Sequence, residues 1–433
     1  MRIQGLTVGS CLALLCAAAG PVSAQIQMTT RVSVGTGGAQ GSLRSYSPAL
    51  TPDGRHVVFY SEAPDLVPGD TNGVGDIFLR DRLTRTTTLV SVDSSGIQGD
   101  GDSEYPTISA DGRYVAFTSH ATNLVPGDTN GFADTFVHDL LGGTTTRVSV
   151  DSSGAQASGD SVNAVSLSAD GRYVAFQSTA NNLVPDDHNV GTSDVFVHDR
   201  ANGTTVRVSV ASSKGGHYPS ISGDGRFVAF QSASKLAPND TNNLIDAFVR
   251  DLVNATTVLV SVDSDGVQGN SSSTSPVISA DGRYVAFESL ATNFVPGDIN
   301  ANWDIYVRDL VDGVTTLVST DSEGVLGNSG SLSPAISGNG RFVVFKSWAD
   351  NLVPGDTNTD LDVFAHDRVT GITIRASESS AGEQANGFVS SQPTISADGR
   401  HVAFYSDASN LVPGDTNGAW DVFVHTFFKV RRR

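Results

Sequence analysis

The residues with the most chemistry in this chain recur as one spaced triplet, D-x-N-x3-D. It stands at Asp70, Asn72 and Asp76; at Asp128, Asn130 and Asp134; and at Asp240, Asn242 and Asp246. It returns at Asp298, Asn300 and Asp304; at Asp356, Asn358 and Asp362; and at Asp415, Asn417 and Asp421. With one residue inserted it stands again at Asp187, Asn189 and Asp194. Alternating carboxylate and amide oxygens in a tight loop are one way to supply the six to eight hard oxygens that calcium takes. The same residue types also form turns by capping their own loop amides, so the pattern leaves calcium binding and plain turn chemistry both open. An EF-hand needs a further acid at its twelfth position. Asp81, Asp139, Asp251, Asp309 and Asp367 have the right count, but an extended run of roughly 16–17 Å separates them from the triplet. That places them on the opposite face, so carbonyls, water or a neighbouring loop must complete any ion's shell. No catalytic motif accompanies the triplets: H-E-x-x-H, G-x-S-x-G, a phosphate loop and a reactive cysteine are all missing from the sequence. His120, His188 and His217 break the repeat, but they fall in different copies.

The elements that carry the triplets are repeated as well. The tripeptide Asp-Gly-Arg begins at Asp53, Asp111, Asp170, Asp224, Asp281 and Asp398, and Asn339 takes the Asp position once, at spacings of 58, 59, 54, 57, 58 and 59 residues. A period of this size signals a propeller, a solenoid or an array. Each copy reads as four short strands rich in Val, Ile, Phe, Tyr and Thr, bounded by Gly, Asp, Asn and Pro. In the second copy they are residues 105–110, 114–119, 134–139 and 144–150, with Asp-Gly making the first hairpin turn and the triplet in the long loop 120–133. Residues 29–34 match a fourth strand, and the last copy lacks one after 421–426. A ring has a use for that exchange and an open stack has none. The predicted fold is therefore all-β: a seven-bladed β-propeller of four antiparallel strands per blade, closed by an N-terminal strand that completes the last blade. The repeat units are about 46–104, 105–161, 162–217, 218–274, 275–332, 333–391, and 392–433 plus 29–34.

I-S-A-D-G-R-Y-V-A-F followed by D-x-F-V-x-D resembles the WD40-like PD40 repeat of TolB-type propellers, and the resemblance covers all seven units. It implies a propeller. Two departures stand out: TolB is similar to a six-bladed ring with an added α/β domain, and the loop N-L-V-P-G-D-T-N-G is longer than the usual hairpin. Tol–Pal partnership is therefore not carried over.

Loop lengths assign the faces. The turns containing Asp-Gly-Arg make one face tight, and the long loops give the other its elaboration and its acid, including Asp65, Asp70, Asp76, Asp93, Asp100, Asp102 and Glu104. Long loops on a rigid scaffold are where binding usually sits. Arg55, Arg113, Arg172, Arg226, Arg283, Arg341 and Arg400 are expected to pair with the Asp that ends the third strand of their own blade. His138, His198, His366 and His425 share a position with Arg80, Arg250 and Arg308, which reads as a solvated strand site. Tyr105 and Tyr218 are placed at the channel mouth, and Trp303, Trp348 and Trp420 on the long loops.

An apolar run after Arg2, ending Val22-Ser23-Ala24, reads as a signal peptide over 1–24, with the propeller over 25–433. Both cysteines, Cys11 and Cys16, fall inside it, so disulfide and thiol chemistry are not expected in the propeller. With 46 acidic and 27 basic residues the formal charge is −19, which argues against nucleic-acid binding. The expected protein is a secreted or periplasmic, monomeric, non-catalytic propeller. Its acidic loop face binds a protein or glycan, calcium orders the loops, and no other cofactor is involved. The alternative is an extracytoplasmic polysaccharide lyase or hydrolase working at the channel mouth.

Overall fold

The computed structural model describes residues 26–189, 191–210, 212–387 and 392–428; the expected signal peptide and the basic tail after 428 lie outside them. The strands, β1 to β28 in chain order, form seven four-stranded antiparallel sheets. Blade 1 is β2 (Ser45–Leu50), β3 (His56–Ser61), β4 (Asp76–Asp81) and β5 (Thr86–Leu89), hydrogen-bonded in that order. Blades 2 to 6 repeat it over 103–147, 161–207, 217–259, 273–317 and 331–375. Blade 7 takes β26 (Thr394–Ile395), β27 (His401–Ser406) and β28 (Asp421–Phe428) from the end of the chain and β1 (Ile26–Arg31) from its start. β1 pairs with β28 in continuous register, Thr29 opposite His425. The closed seven-bladed propeller expected from the repeat is the observed fold.

The second and third strands of each blade are apolar on both sides because each blade is covered by its neighbours. Phe59 and Phe78 are fully buried and stack at 5.9 Å. The same pair recurs in the other blades, as Phe117/Phe136 at 6.1 Å and Phe404/Phe423 at 5.9 Å, except that blade 5 has Phe287 on Tyr306. The Asp-Gly turns need glycine twice over. Gly171 has a φ of +67°, and a Cβ there would collide with the Tyr114 ring of the preceding blade. Turn joins turn around the tight face: Ala110 N–H donates to Ala169, Ala169 to Gly223 and Gly223 to Ala280, each at 2.9 Å. The tripeptide arginines pair as expected, Arg55 with Asp81 at 2.6 Å and Arg113 with Asp139 at 2.7 Å, and so on through Arg341 with Asp367. Arg400 meets Asp398 instead, because Thr426 stands where the other blades end their third strand in Asp.

Two expectations need correction. The fourth strands stop sooner than expected, at Arg147 instead of 150, and the closing strand is 26–31 instead of 29–34. The following Ser149 leaves the ladder so that its hydroxyl can donate to Asp134. Ser33 does the same for Asp421. The shared His/Arg position is not solvated: Arg80 is 7% exposed and His425 is 0% exposed. It faces the next strand, where Arg80 donates to Thr87 Oγ1 at 2.9 Å and His138 meets Thr145 Oγ1 at 2.8 Å. That Thr hydroxyl spends its own proton on the preceding blade, on the Val34 or Val92 carbonyl. The position is therefore an interblade clasp that asks for an N–H donor, which histidine and arginine both supply.

First strands line the axis. Those of blades 1, 2, 4, 5 and 6 bulge at a residue with positive φ just before a proline, at Ser47, Tyr105, Tyr218, Ser275 and Ser333 (φ 50 to 54°). The amides freed by the bulge bond to side chains of the preceding blade, Ser275 N–H to Gln231 Oε1 at 2.8 Å and Ser333 N–H to Glu288 Oε2 at 2.7 Å. The axial cavity they line, with Pro106, Pro219 and Tyr218 on its wall, holds about 490 Å³. Among the described residues no helix is long and apolar enough to cross a membrane.

Candidate functional site

Each D-x-N-x3-D loop folds its three residues together at the foot of the third strand. In blade 1, Asn72 Nδ2 donates to Asp76 Oδ2 at 2.9 Å and to the Gly99 carbonyl at 2.9 Å, while Asn72 Oδ1 caps the Val74 amide at 3.1 Å. Ser91 Oγ donates to Asp76 Oδ1 at 2.5 Å. The two aspartates are joined by a residue that the triplet does not contain. Gln98 Nε2 donates to Asp70 Oδ1 at 2.8 Å and to Asp76 Oδ2 at 2.7 Å. Gln268 bridges Asp240 and Asp246 in the same way, Gln384 bridges Asp356 and Asp362, and Gln40 bridges Asp415 and Asp421, at 2.6 to 2.9 Å.

The asparagines make the contacts expected of turn formers and add a tie between loops. Asn130 Nδ2 donates to Asp134 Oδ2 at 2.8 Å and to the Ala157 carbonyl at 3.1 Å. Asn417 Nδ2 donates to Asp421 Oδ2 at 3.2 Å and to the Gly41 carbonyl at 2.9 Å. Asn189, Asn242, Asn300 and Asn358 hold the matching carbonyl, that of Ser212, Gly269, Gly327 or Ala385, at 3.1 to 3.4 Å. The side-chain oxygens of Asn130, Asn242, Asn300 and Asn417 each cap the amide two residues on, at 2.8 to 3.0 Å. In these five loops the side-chain oxygen caps the turn, and the nitrogen ties the loop to the segment leading to the next blade. Asn358 Oδ1 differs, being buried without a partner.

In other blades an arginine from the end of the fourth strand lies between the two aspartates. Arg147 Nη1 is 3.0 Å from Asp128 Oδ1 and 3.2 Å from Asp134 Oδ2, and Arg207 Nη1 is 3.1 Å from Asp187 Oδ1 and 3.7 Å from Asp194 Oδ2. Arg31 and Arg375 add a guanidinium to the bridged pairs of blades 7 and 6. In six blades, then, the chain's own nitrogen sits between the carboxylates. The third-strand aspartates at 81, 139, 251, 309 and 367 stay on the tight face with their arginines, as the strand length requires.

Burial pushes the carboxyls of Asp76, Asp246 and Asp304 up to about 6. These are the blades whose fourth strand ends in Leu89, Leu259 and Leu317, where no guanidinium offsets the lost hydration. The triplet pattern hides both the glutamine and the arginine. The available signal is their fixed place in the repeat: Gln98 pairs with Val92 as Gln156 pairs with Val150 and Gln384 with Glu378. Among the described residues no group of three or more His, Cys, Asp or Glu side chains comes together around one point.

A second feature of the loop face breaks the sevenfold repeat. The fifth residue of the second strand is Thr118, Gln177, Gln231, Glu288 and Lys346 in blades 2 to 6, but Tyr60 in blade 1 and Tyr405 in blade 7. Tyr46 stands opposite Tyr60 in register with its ring centroid 4.4 Å away. Tyr405 and Trp420 follow at 5.5 Å from each other and 6.1 and 6.2 Å from Tyr46. Around this aromatic floor lie Arg44 and Glu62, paired at 2.6 Å, with Tyr60 Oη donating to Glu62 at 3.3 Å or to Asp102 at 3.4 Å. Asp102 is fixed by the Gly75 amide at 2.9 Å. Burial raises the phenols of Tyr46, Tyr60 and Tyr405, so they remain hydroxyl donors. Burial, and then Asp102, raises Glu104 nearby. Two clefts of about 290 and 370 Å³ meet along Leu43 and Glu62; the first is walled by Arg44, Asp407 and Trp420, the second by Tyr60, Gly75 and Asp102. Trp303 and Trp348 lie at another blade junction, and Trp348 is exposed.

No family model and no curated protein matches the chain. Solved structures do. An oligogalacturonate lyase in complex with manganese has a TM-score of 0.58 at 12% identity, covering 93% of this chain and 93% of that one. The oligogalacturonate lyase from Vibrio parahaemolyticus has 0.56 at 14% identity, covering 92% and 93%. At such identities the likeness shows the propeller fold alone. TolB from Acinetobacter baumannii also matches, with a TM-score of 0.43 at 15% identity over 77% of this chain and 63% of that one. This chain thus spans less than two thirds of that TolB, and the overlap is too loose to carry any assignment.

Proposed function

We propose that this protein is a non-catalytic binding propeller of the periplasm or the extracellular space, and that the groove between blades 7, 1 and 2 holds an uncharged glycan. The observation that carries the reading is the aromatic cluster of Tyr46, Tyr60, Tyr405 and Trp420, of which Trp420 walls one cleft and Tyr60 the other, beside the polar Arg44, Glu62 and Asp102, a grouping with no counterpart at the other junctions among the described residues. Aromatic faces pack against apolar ring faces while their polar tips stay available for hydrogen bonds. The fixed carboxylates and guanidinium suit hydroxyl groups. Glycan-array screening followed by a tryptophan-fluorescence titration tests this. Trp420→Ala should weaken binding at least tenfold, while Trp348→Ala leaves it unchanged. A protein that binds no glycan, or a Trp420→Ala variant that binds as the parent does, removes the reading.

The lyase-like neighbours favour a second reading, cleavage of a polyuronate. The charge of the groove weighs against it, because Glu62, Asp102 and Asp407 would face a polyanion with only Arg44 in attendance. Incubation with oligogalacturonate, followed by the ultraviolet absorbance of an unsaturated product, separates the two.

A further inference from the structure

Blade 5 is the exception to the internal bridging of the loop carboxylates. Leu326 pairs with Thr320 where Gln98 pairs with Val92, and Leu317 lies opposite Tyr306 where Arg147 lies opposite Phe136. Neither nitrogen is replaced. Asp298 and Asp304 are nonetheless buried, at 6% and 0% exposure. Asp298 Oδ1 and Asp304 Oδ2 have no hydrogen-bond partner. They correspond to the two atoms that receive one shared amide in blades 1, 4, 6 and 7, so they face a common point. The remaining oxygens are taken: Tyr306 Oη donates to Asp298 Oδ2, and Ser319 Oγ donates to Asp304 Oδ1 at 2.7 Å. Tyr306 replaces the phenylalanine of the other blades, so blade 5 departs from the repeat at two positions around this one pair, Leu326 and Tyr306, and shares with blades 1 and 4 the leucine that takes the arginine's place.

Two carboxylates buried side by side with open lone pairs are strongly unfavourable unless a positive charge joins them. We propose that blade 5 binds one divalent cation of calcium's class between Asp298 Oδ1 and Asp304 Oδ2, with loop carbonyls and water completing its shell. Four sibling blades show that this place accepts a positive charge, since each puts a guanidinium on the equivalent pair. The spacing fits. Sibling donors sit 2.6 to 2.9 Å from the two oxygens in the glutamine-bridged blades, and calcium–oxygen bonds of about 2.3–2.6 Å need only a small contraction. An all-oxygen donor set with no imidazole or thiolate selects hard cations over zinc or copper. Two carboxylates are few ligands for calcium, which sets the expected dissociation constant at about 10⁻⁴–10⁻³ M.

Chelator-washed full-length protein titrated separately with calcium, magnesium and manganese, by calorimetry and by thermal melting, tests the site at neutral pH. One calcium ion per chain, a melting temperature that rises with calcium, and weaker magnesium binding are expected. Leu326→Gln installs the amide that blade 1 already uses; it should fold, melt higher than the parent in chelator, and bind calcium at least tenfold more weakly. Asp298→Asn should also lose the ion. Binding of no metal at millimolar concentration overturns the proposal and leaves a proton shared by the pair. Magnesium binding tighter than calcium, or Leu326→Gln binding calcium as the parent does, overturns it as well.

Discussion

Replacing His425 with glutamine should reduce the acid sensitivity of the closed ring. His425 Nδ1 meets Thr29 Oγ1 at 2.8 Å across the joint between β28 and β1, and that hydroxyl donates its proton to the Glu378 carbonyl. Nδ1 therefore carries a proton and donates, while Nε2 is buried with no partner. Burial lowers the imidazole from 6.5 to about 4. The unfolded chain takes up a proton near pH 6.5 and the fold resists it until about pH 4, so the stability due to neutral His425 is whole above pH 6.5 and is lost as pH falls towards 4. At about pH 5 this linkage removes about 2 kcal/mol, against the ~5–15 kcal/mol that holds an ordinary domain together. Glutamine keeps an N–H donor for Thr29 and does not titrate. The raised carboxyls of Asp76, Asp246 and Asp304 act in the opposite sense, since protonating them favours the fold, and His138, His198, His366 and His401, also lowered by burial, act in the same sense; all of these cancel when variant and parent are compared. Urea unfolding followed by tryptophan fluorescence, at about pH 7.5 and about pH 5, measures the difference. The variant should lose about 2 kcal/mol less than the parent on acidification. Equal losses refute the reasoning.

Phe136→Ala removes a fully buried ring that stacks on Phe117 at 6.1 Å. It should destabilise by about 3–5 kcal/mol, read as a lower urea midpoint; a loss under about 1 kcal/mol means the blades repack freely. Removing residues 26–31 takes the fourth strand from blade 7 and should convert a monodisperse species into oligomers on size exclusion, because an unpaired edge recruits another chain; an unchanged elution volume contradicts the closure. Gln98→Leu copies the blade-5 residue into blade 1, strands Asp70 Oδ1 and leaves Asp76 Oδ2 with Asn72 alone. It should cost about 1–3 kcal/mol in chelator for the one stranded oxygen, with part of the loss recovered in millimolar calcium; a melt identical to the parent's counts against the bridging role.

The blade is legible in the sequence because its signals are local. Asp-Gly fixes a turn, alternating and fully apolar runs fix strands, and an orphan segment at one end matches a gap at the other. What sequence reasoning misreads depends on neighbours in space. His138 and Arg80 look interchangeable if both are wet; they are interchangeable because both donate to a threonine hydroxyl between blades. Ser149 reads as the end of a strand, yet its hydroxyl is spent on Asp134. The triplet is visible, but its partner Gln98 comes from the loop leading to the next blade, 28 residues beyond Asp70. Asn72 and Asn130 read as turn formers or oxygen ligands by type, and only the fold shows that each also donates from its nitrogen to the carboxylate. Leu317, Leu326 and Tyr306 are each unremarkable alone, and only the register places them around one carboxylate pair. The groove escapes for the same reason: Tyr46, Tyr60, Tyr405 and Trp420 come from the first and last copies and meet only when the circle closes.

That joint also sets a timetable for biosynthesis. Thr29 and its partner His425 are 396 residues apart, so a ribosome adding ~5–20 residues per second makes the second about 20–80 s after the first. Throughout that interval the opening six-residue strand has no mate. Cellular yield should therefore respond most sharply to whatever shelters this short segment while the rest of the polypeptide is still being translated.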